Sequence, residues 1–169
     1  DGSLELPYIP WPTLSNYIKE TIKKDQEEFI SILDQIYSYI LKSSSQVPAS
    51  DNVLRFLGHE AKRAENGEKR EGGEGKVYDF GPILRKAYME LIPLNCFYNP
   101  ETKEFLYFDQ EFVRENYPAK YVLFRAIHYI YCFTPNAEQY YPKQKLIEKY
   151  GMEDTWDIYL QEEQSFLEE

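Results

Sequence analysis

The chain has 169 residues, 43% hydrophobic and 17% aromatic, with a formal net charge of -10. That length and apolar content suffice for one domain with a real core. The acidic balance argues against a binder of phosphate backbones, so no nucleic-acid partner is expected. No run approaches the roughly 18 uninterrupted apolar residues of a membrane span, and no basic-then-apolar leader opens the sequence, so a cytoplasmic protein is expected. Cys96 and Cys132 are too few for a disulfide framework or a zinc site. Both stand in apolar surroundings and read as reduced core thiols.

In chain order, Pro7, Pro10 and Pro12 make the opening an extended lead-in. Thr13 is placed to cap a short helix whose stripe is Leu14, Tyr17, Ile18 and Ile22. After the charged break Lys23-Lys-Asp25, the residues Phe29, Leu33, Ile36 and Ile40 keep helical period, and neither Gly nor Pro interrupts 26–42. A long amphipathic helix is predicted there, with Asp25, Glu27 and Glu28 at its positive end. Residues 43–50 read as a loop, and Asp51 as the cap of a short helix ended by Gly58. From Arg63 to Lys76 four basic and four acidic residues balance around four glycines, with no large apolar residue. Such a stretch cannot offset its ordering entropy by burial, so 64–76 is expected to be a mobile internal loop of a single domain spanning 1–169. It matches no phosphate-cradling motif. Val77–Leu84, broken by Gly81-Pro82, reads as irregular and leads through 85–88 into the next segment.

Beyond residue 111, Asn116-Tyr-Pro118 sets up a helix whose stretch Tyr121–Phe133 is apolar on nearly every face except at Arg125 and His128. A helix of this kind is buried, so Arg125 requires a carboxylate or carbonyl partner and His128 reads as a core histidine. A short helix over 144–150, ended by Gly151, precedes a final amphipathic helix carrying Trp156, Tyr159, Leu160, Phe166 and Leu167. Residues 153–169 hold seven carboxylates and no base, which reads as a solvated acidic face or an interaction tail.

The chemistry concentrates in residues 88–111. Glu90, Asn95 and Asp109 stand five and then fourteen residues apart, with Pro93 between the first two. Strand-like runs at 96–99 and 104–108 separate the last two, and a hairpin made of them brings Asn95 and Asp109 to one end. Two oxygen ligands suit Mg2+, which keeps its remaining positions for water and phosphate oxygens. Leu106-Tyr-Phe108 runs apolar into Asp109, which places the acid at the end of a buried strand. Phe97, Phe105 and Tyr107 are expected to pack against the helix that ends at 133. The alternative is plain turn chemistry, since Asn-Pro-Glu-Thr-Lys-Glu suits a solvated hairpin tip. Asp109 and Glu111 also form a carboxylate pair of the kind used in glycoside hydrolysis, though nothing else in the chain looks like a sugar cleft. His59 and His128 fall in no zinc-hydrolase or serine-hydrolase pattern.

Glu90-Leu-Ile-Pro-Leu-Asn95 resembles the D-L-x-P-x-N loop of kinases, and Asp109-Gln-Glu111 resembles the D-x-E metal motif of aminoglycoside phosphotransferase-like small-molecule kinases. Tyr121-Val-Leu-Phe-Arg-Ala-Ile-His-Tyr129 is similar to a segment of kinase-like domains fused to methyltransferases or glycosyltransferases of bacterial surface-polysaccharide synthesis. Leu6-Pro-Tyr-Ile-Pro-Trp-Pro-Thr-Leu-Ser-Asn-Tyr17 is similar to a kinase hinge entering its first C-lobe helix. The resemblance implies a mainly α fold with a small β-hairpin (α+β), a protein-kinase-like C-lobe beginning at the hinge and lacking the N-lobe. It implies Glu90 as the acid that orients an acceptor hydroxyl, Asn95 and Asp109 as Mg2+ ligands, and Asn95, Asp109 and Glu111 as the side facing Mg2+ and ATP. The activity implied is phosphotransfer to a sugar or small hydroxyl acceptor in lipopolysaccharide, O-antigen or capsule modification. The implied partners are an upstream N-lobe carrying the phosphate-holding Lys, or a fused methyltransferase or glycosyltransferase domain. Two departures point instead to a non-catalytic interaction or scaffolding module: Glu90 stands where the family has Asp, and the usual preceding His is replaced by Tyr88-Met89. By itself the chain is expected to be inactive.

Overall fold

The computed structural model describes residues 8–47 and 78–168. The helix expected over 51–57, the mobile loop expected over 64–76, His59 and the first residues of the proline-rich opening lie outside them. The described residues form an α+β fold of six helices and two small antiparallel sheets.

Helix α1 (Leu14–Lys24) starts where the Thr13 hydroxyl accepts a hydrogen bond from Asn16 N at 3.2 Å. It ends at Asp25, whose extended backbone closes α1 through Thr21 O, while its carboxylate caps α2 (Gln26–Lys42) by accepting from Glu28 N at 3.1 Å. One residue thus fixes the turn between two helices that pack on each other. Their apolar stripes, Leu14, Ile18 and Ile22 on one and Phe29, Ile32, Leu33, Ile36 and Ile40 on the other, are all completely buried. Chain polarity agrees with the helix dipoles, with Glu27 and Glu28 in the first turn of α2 and Lys23 and Lys24 in the last turn of α1.

The first sheet has the order β1 (Gln46–Val47), β2 (Ile83–Tyr88), β5 (Val113–Pro118). Its long register pairs Ile83 with Pro118 and Tyr88 with Val113. Residues 83–88 are therefore a strand, which takes in Ile83 and Leu84 from the end of the passage expected to be irregular and the 85–88 link after it. The reason is tertiary: Ile83, Leu84 and Ala87 are buried under the next helix while Arg85 and Lys86 face out, so no clean alternation shows. The second sheet is the expected hairpin, β3 (Cys96–Asn99) with β4 (Glu104–Tyr107), in register from Cys96–Tyr107 to Asn99–Glu104.

Helix α3 (Ala119–Phe133) follows Pro118, and every residue from Tyr121 to Ile127 is buried. Short α4 (Ala137–Tyr140) and α5 (Lys143–Lys149) lead to α6 (Trp156–Leu167), which packs on α3. Two expectations are corrected here. The hairpin packs on α1 and α2, with Tyr98 against Tyr17 and Tyr39 against Phe105 and Tyr107, and Phe97, Phe105 and Tyr107 are only half-buried. The fully buried hairpin residues are Cys96 and Tyr98, on the face they share with their cross-strand partners Tyr107 and Phe105, while Phe97, paired with Leu106, turns to the other face. Cys132, expected in the core, is exposed on the last turn of α3. No described helix is long and apolar enough to cross a membrane.

Candidate functional site

The site grows from the junction of the two sheets. Strand β2 ends at Tyr88, and Met89 N still reaches across to donate to Phe112 O at 2.9 Å. Pro93 then opens a single 3-10 turn, Pro93–Asn95, where its missing N–H costs nothing. Asn95 O accepts from Phe108 N at 2.9 Å, closing the base of the hairpin. Glu90 and Asn95, five residues apart, are folded back onto each other by this turn. Asn95 Nδ2 donates to Glu90 Oε2 at 2.7 Å and lies 3.5 Å from the Glu90 carbonyl.

Gln110 locks the same point from the other strand: its Nε2 donates to Glu90 O and to Phe108 O, each at 2.9 Å. Of the Asp109-Gln-Glu111 run it is the middle residue that turns back to the segment. Asp109 is exposed with φ +54°, one residue past the Asn95–Phe108 closure, and Glu111 is exposed beyond it. The expectation that Asp109 ends a buried strand is corrected, since β4 alternates and Leu106 is 42% exposed. The left-handed conformation is one that Asp tolerates better than most residues, and held strain of this kind gathers at functional positions.

Beneath the segment lies an ionic network that fixes its backbone. Arg125 Nη1 donates to the Met89 carbonyl and stands 3.6 Å from Glu90 Oε1. Its Nε donates to Glu163 Oε2 at 2.9 Å. Glu163 also accepts from Tyr121 OH at 2.8 Å and Tyr129 OH at 2.7 Å, and Arg125 and Glu163 are each 2% exposed. Burial works against the Arg125 charge, but the Glu163 carboxylate, with help from Tyr129 and Glu90, outweighs it and raises the guanidinium pKa. Glu163 is thus the partner that a buried Arg125 demanded, and it is not part of a wholly solvated acidic face. The signal was present, because 156, 159, 163 and 166 follow one another at helical spacing and put Glu163 on the apolar stripe. His128 is half-buried, stacked on Phe124, with its pKa lowered by burial.

Next to Gln110 a cleft of about 500 Å³ opens between the end of α2 (Tyr39, Lys42) and the residues Tyr88, Leu91, Tyr107 and Gln110. Burial pushes the Tyr107 phenol pKa well up.

The oxygen donors at the hairpin base fit Mg2+ in kind. Asn95 offers Oδ1 because its Nδ2 is engaged by Glu90, and Asp109 offers an exposed carboxylate. They do not make a metal cage of their own, since no group of three or more His, Cys, Asp or Glu able to hold a metal occurs among the described residues. Compared with known proteins, the chain matches no protein-family model, no curated protein and no solved structure.

Proposed function

We propose that the chain carries the acceptor- and metal-facing half of an ATP- and Mg2+-dependent phosphotransfer site, in a kinase-like C-terminal lobe of an enzyme that modifies bacterial surface polysaccharide by phosphotransfer to a sugar or small hydroxyl acceptor. One observation carries it: the Asn95 amide donates its N–H to Glu90, which leaves Oδ1 as the atom available to a cation at the base of the hairpin. In this reading Glu90 accepts from and orients the acceptor hydroxyl, and Asn95 with Asp109 holds the metal side of the nucleotide. Bound Mg2+ would neutralise charge on the phosphate oxygens. The phosphate-holding Lys would come from an N-lobe or fused domain.

Titrating the chain with Mg2+-ATP should move the amide resonances of residues 90, 95 and 109, and Asp109→Ala should remove that response. Shifts confined to α6, or indifferent to Asp109→Ala, would overturn the site.

A second reading, a non-catalytic interaction module of a larger methyltransferase or glycosyltransferase, is favoured by a different observation. Both Glu90 oxygens already have partners, Asn95 on Oε2 and Arg125 at 3.6 Å from Oε1. Glu90→Gln in the full-length polypeptide separates the two. A loss of about 10²- to 10⁴-fold in phosphotransfer fits an acid at the reacting hydroxyl, and an unchanged rate leaves the module.

A further inference from the structure

The cleft beside Gln110 has no role in the phosphotransfer reading. Its walls are aromatic. The Tyr39 and Tyr107 rings stand 4.9 Å apart at 45°, with Phe105 behind them at 6.1 and 6.0 Å, and Tyr88 and Leu91 complete the apolar surround. Tyr39 is 40% exposed, so part of its ring is open to a ligand in the cleft. At about 500 Å³ the space falls within the ordinary range for small-molecule pockets.

The polar groups are few and fixed. Gln110 is clamped by two hydrogen bonds from its Nε2, so its carboxamide has one orientation, and its Oε1 is a buried acceptor without a partner among the described residues. The Tyr107 hydroxyl is likewise buried and unpartnered. An orphaned buried polar atom is costly, and two such atoms among the described residues belong to residues of this cleft. Three of the lining residues are tyrosines, so the rings set the first requirement on a ligand. Ser43 Oγ donates to Ile40 O at 2.6 Å and is no donor for a ligand. At the rim Lys42 has no carboxylate partner among the described residues, and one lysine suits one negative charge.

We infer that this cleft binds a flat-ringed carboxylate, an aromatic acid in chemical class, whose ring lies against Tyr39 and Tyr107 and whose anionic group meets Lys42. The inference does not depend on phosphotransfer, so the same binding is expected in Asp109→Ala.

The probes are 4-hydroxybenzoate, its neutral analogue 4-hydroxybenzamide, and glucuronate, which keeps the charge but replaces the aromatic ring with a saturated one. Saturable shifts of the Tyr39, Tyr88 and Tyr107 ring resonances are expected with 4-hydroxybenzoate, at a dissociation constant of about 1 mM for so small a ligand. The amide should bind about three- to fivefold more weakly at low salt, the scale of one exposed ion pair, and Lys42→Gln should erase that difference. Tyr39→Ala should weaken binding by about tenfold through loss of a ring contact, with its unfolding midpoint checked because part of that ring is buried. No saturable response up to about 10 mM, a response unchanged in both Tyr39→Ala and Lys42→Gln, or tighter binding of glucuronate than of 4-hydroxybenzoate would each overturn the inference.

Discussion

Arg125 and Glu163 face one another between α3 and α6, out of reach of water, and the Coulombic gain of such a pair is set against two desolvation costs. Glu163→Leu should therefore cost about 3 to 5 kcal/mol in urea unfolding, because it strands a buried guanidinium. Arg125→Met combined with Glu163→Leu should recover part of that loss, since it removes the stranded charge. The pair was half legible in the sequence. Arg125 announced the need for a partner, and the 156–159–163–166 spacing placed Glu163 on the right stripe. The six other carboxylates of residues 153–169 concealed it as one more solvated acid. His128 gives a pH signature of its own. Its folded pKa lies below the ordinary value because burial disfavours the cation, with Glu163 opposing that and Lys143 and Arg125 adding to it. The unfolded chain then takes up the proton first as pH falls. Its contribution is present above about pH 6.5 and is lost as the pH drops through that value toward the folded pKa. Unfolding curves of His128→Phe should accordingly lose less stability than those of the parent chain between about pH 7.5 and 5.5.

The hairpin forms where the sequence places it, but it packs on α1 and α2 instead of α3. Both strands appear within a residue of their expected bounds, since Asn99-Pro-Glu-Thr-Lys103 supplies turn chemistry and Lys103 takes φ +59°. Phe105 and Tyr107 do turn inward beside their partners Tyr98 and Cys96, which carry the fullest burial, whereas Phe97 turns to the other face with Leu106. Phe105→Ala should accordingly cost about 1 to 3 kcal/mol, less than a full core truncation. Tyr98 is completely buried, yet its hydroxyl has no partner, and burial pushes its pKa up to about 12. Tyr98→Phe should leave the unfolding midpoint unchanged or raise it, because it removes an unsatisfied group at constant shape. Strands β2 and β5 were harder to see. The sequence Val-Arg-Glu-Asn-Tyr-Pro carries no periodic apolar signal, and only pairing with Ile83–Tyr88 makes it a strand.

At the scale of the whole molecule, α1, α2 and α3 share a continuous apolar cluster that also takes in β2, β3 and α6. Amide exchange in those three helices should slow together, with α4 and α5 exchanging faster, and separate exchange of α1 from α3 would show that the cluster does not act as one unit. The Arg125 contact with the Met89 carbonyl has a mechanical reading as well. Arg125 is held by α6 through Glu163 and itself holds the loop that carries Glu90, so the final helix serves as a tether for a loop some seventy residues earlier in the chain. Cutting the chain after Thr155 would leave Asn95, Asp109 and the hairpin intact in sequence. The guanidinium, released from its carboxylate, would swing toward water and draw its grip from Met89, leaving Glu90 with Asn95 and Gln110 alone to hold it in place.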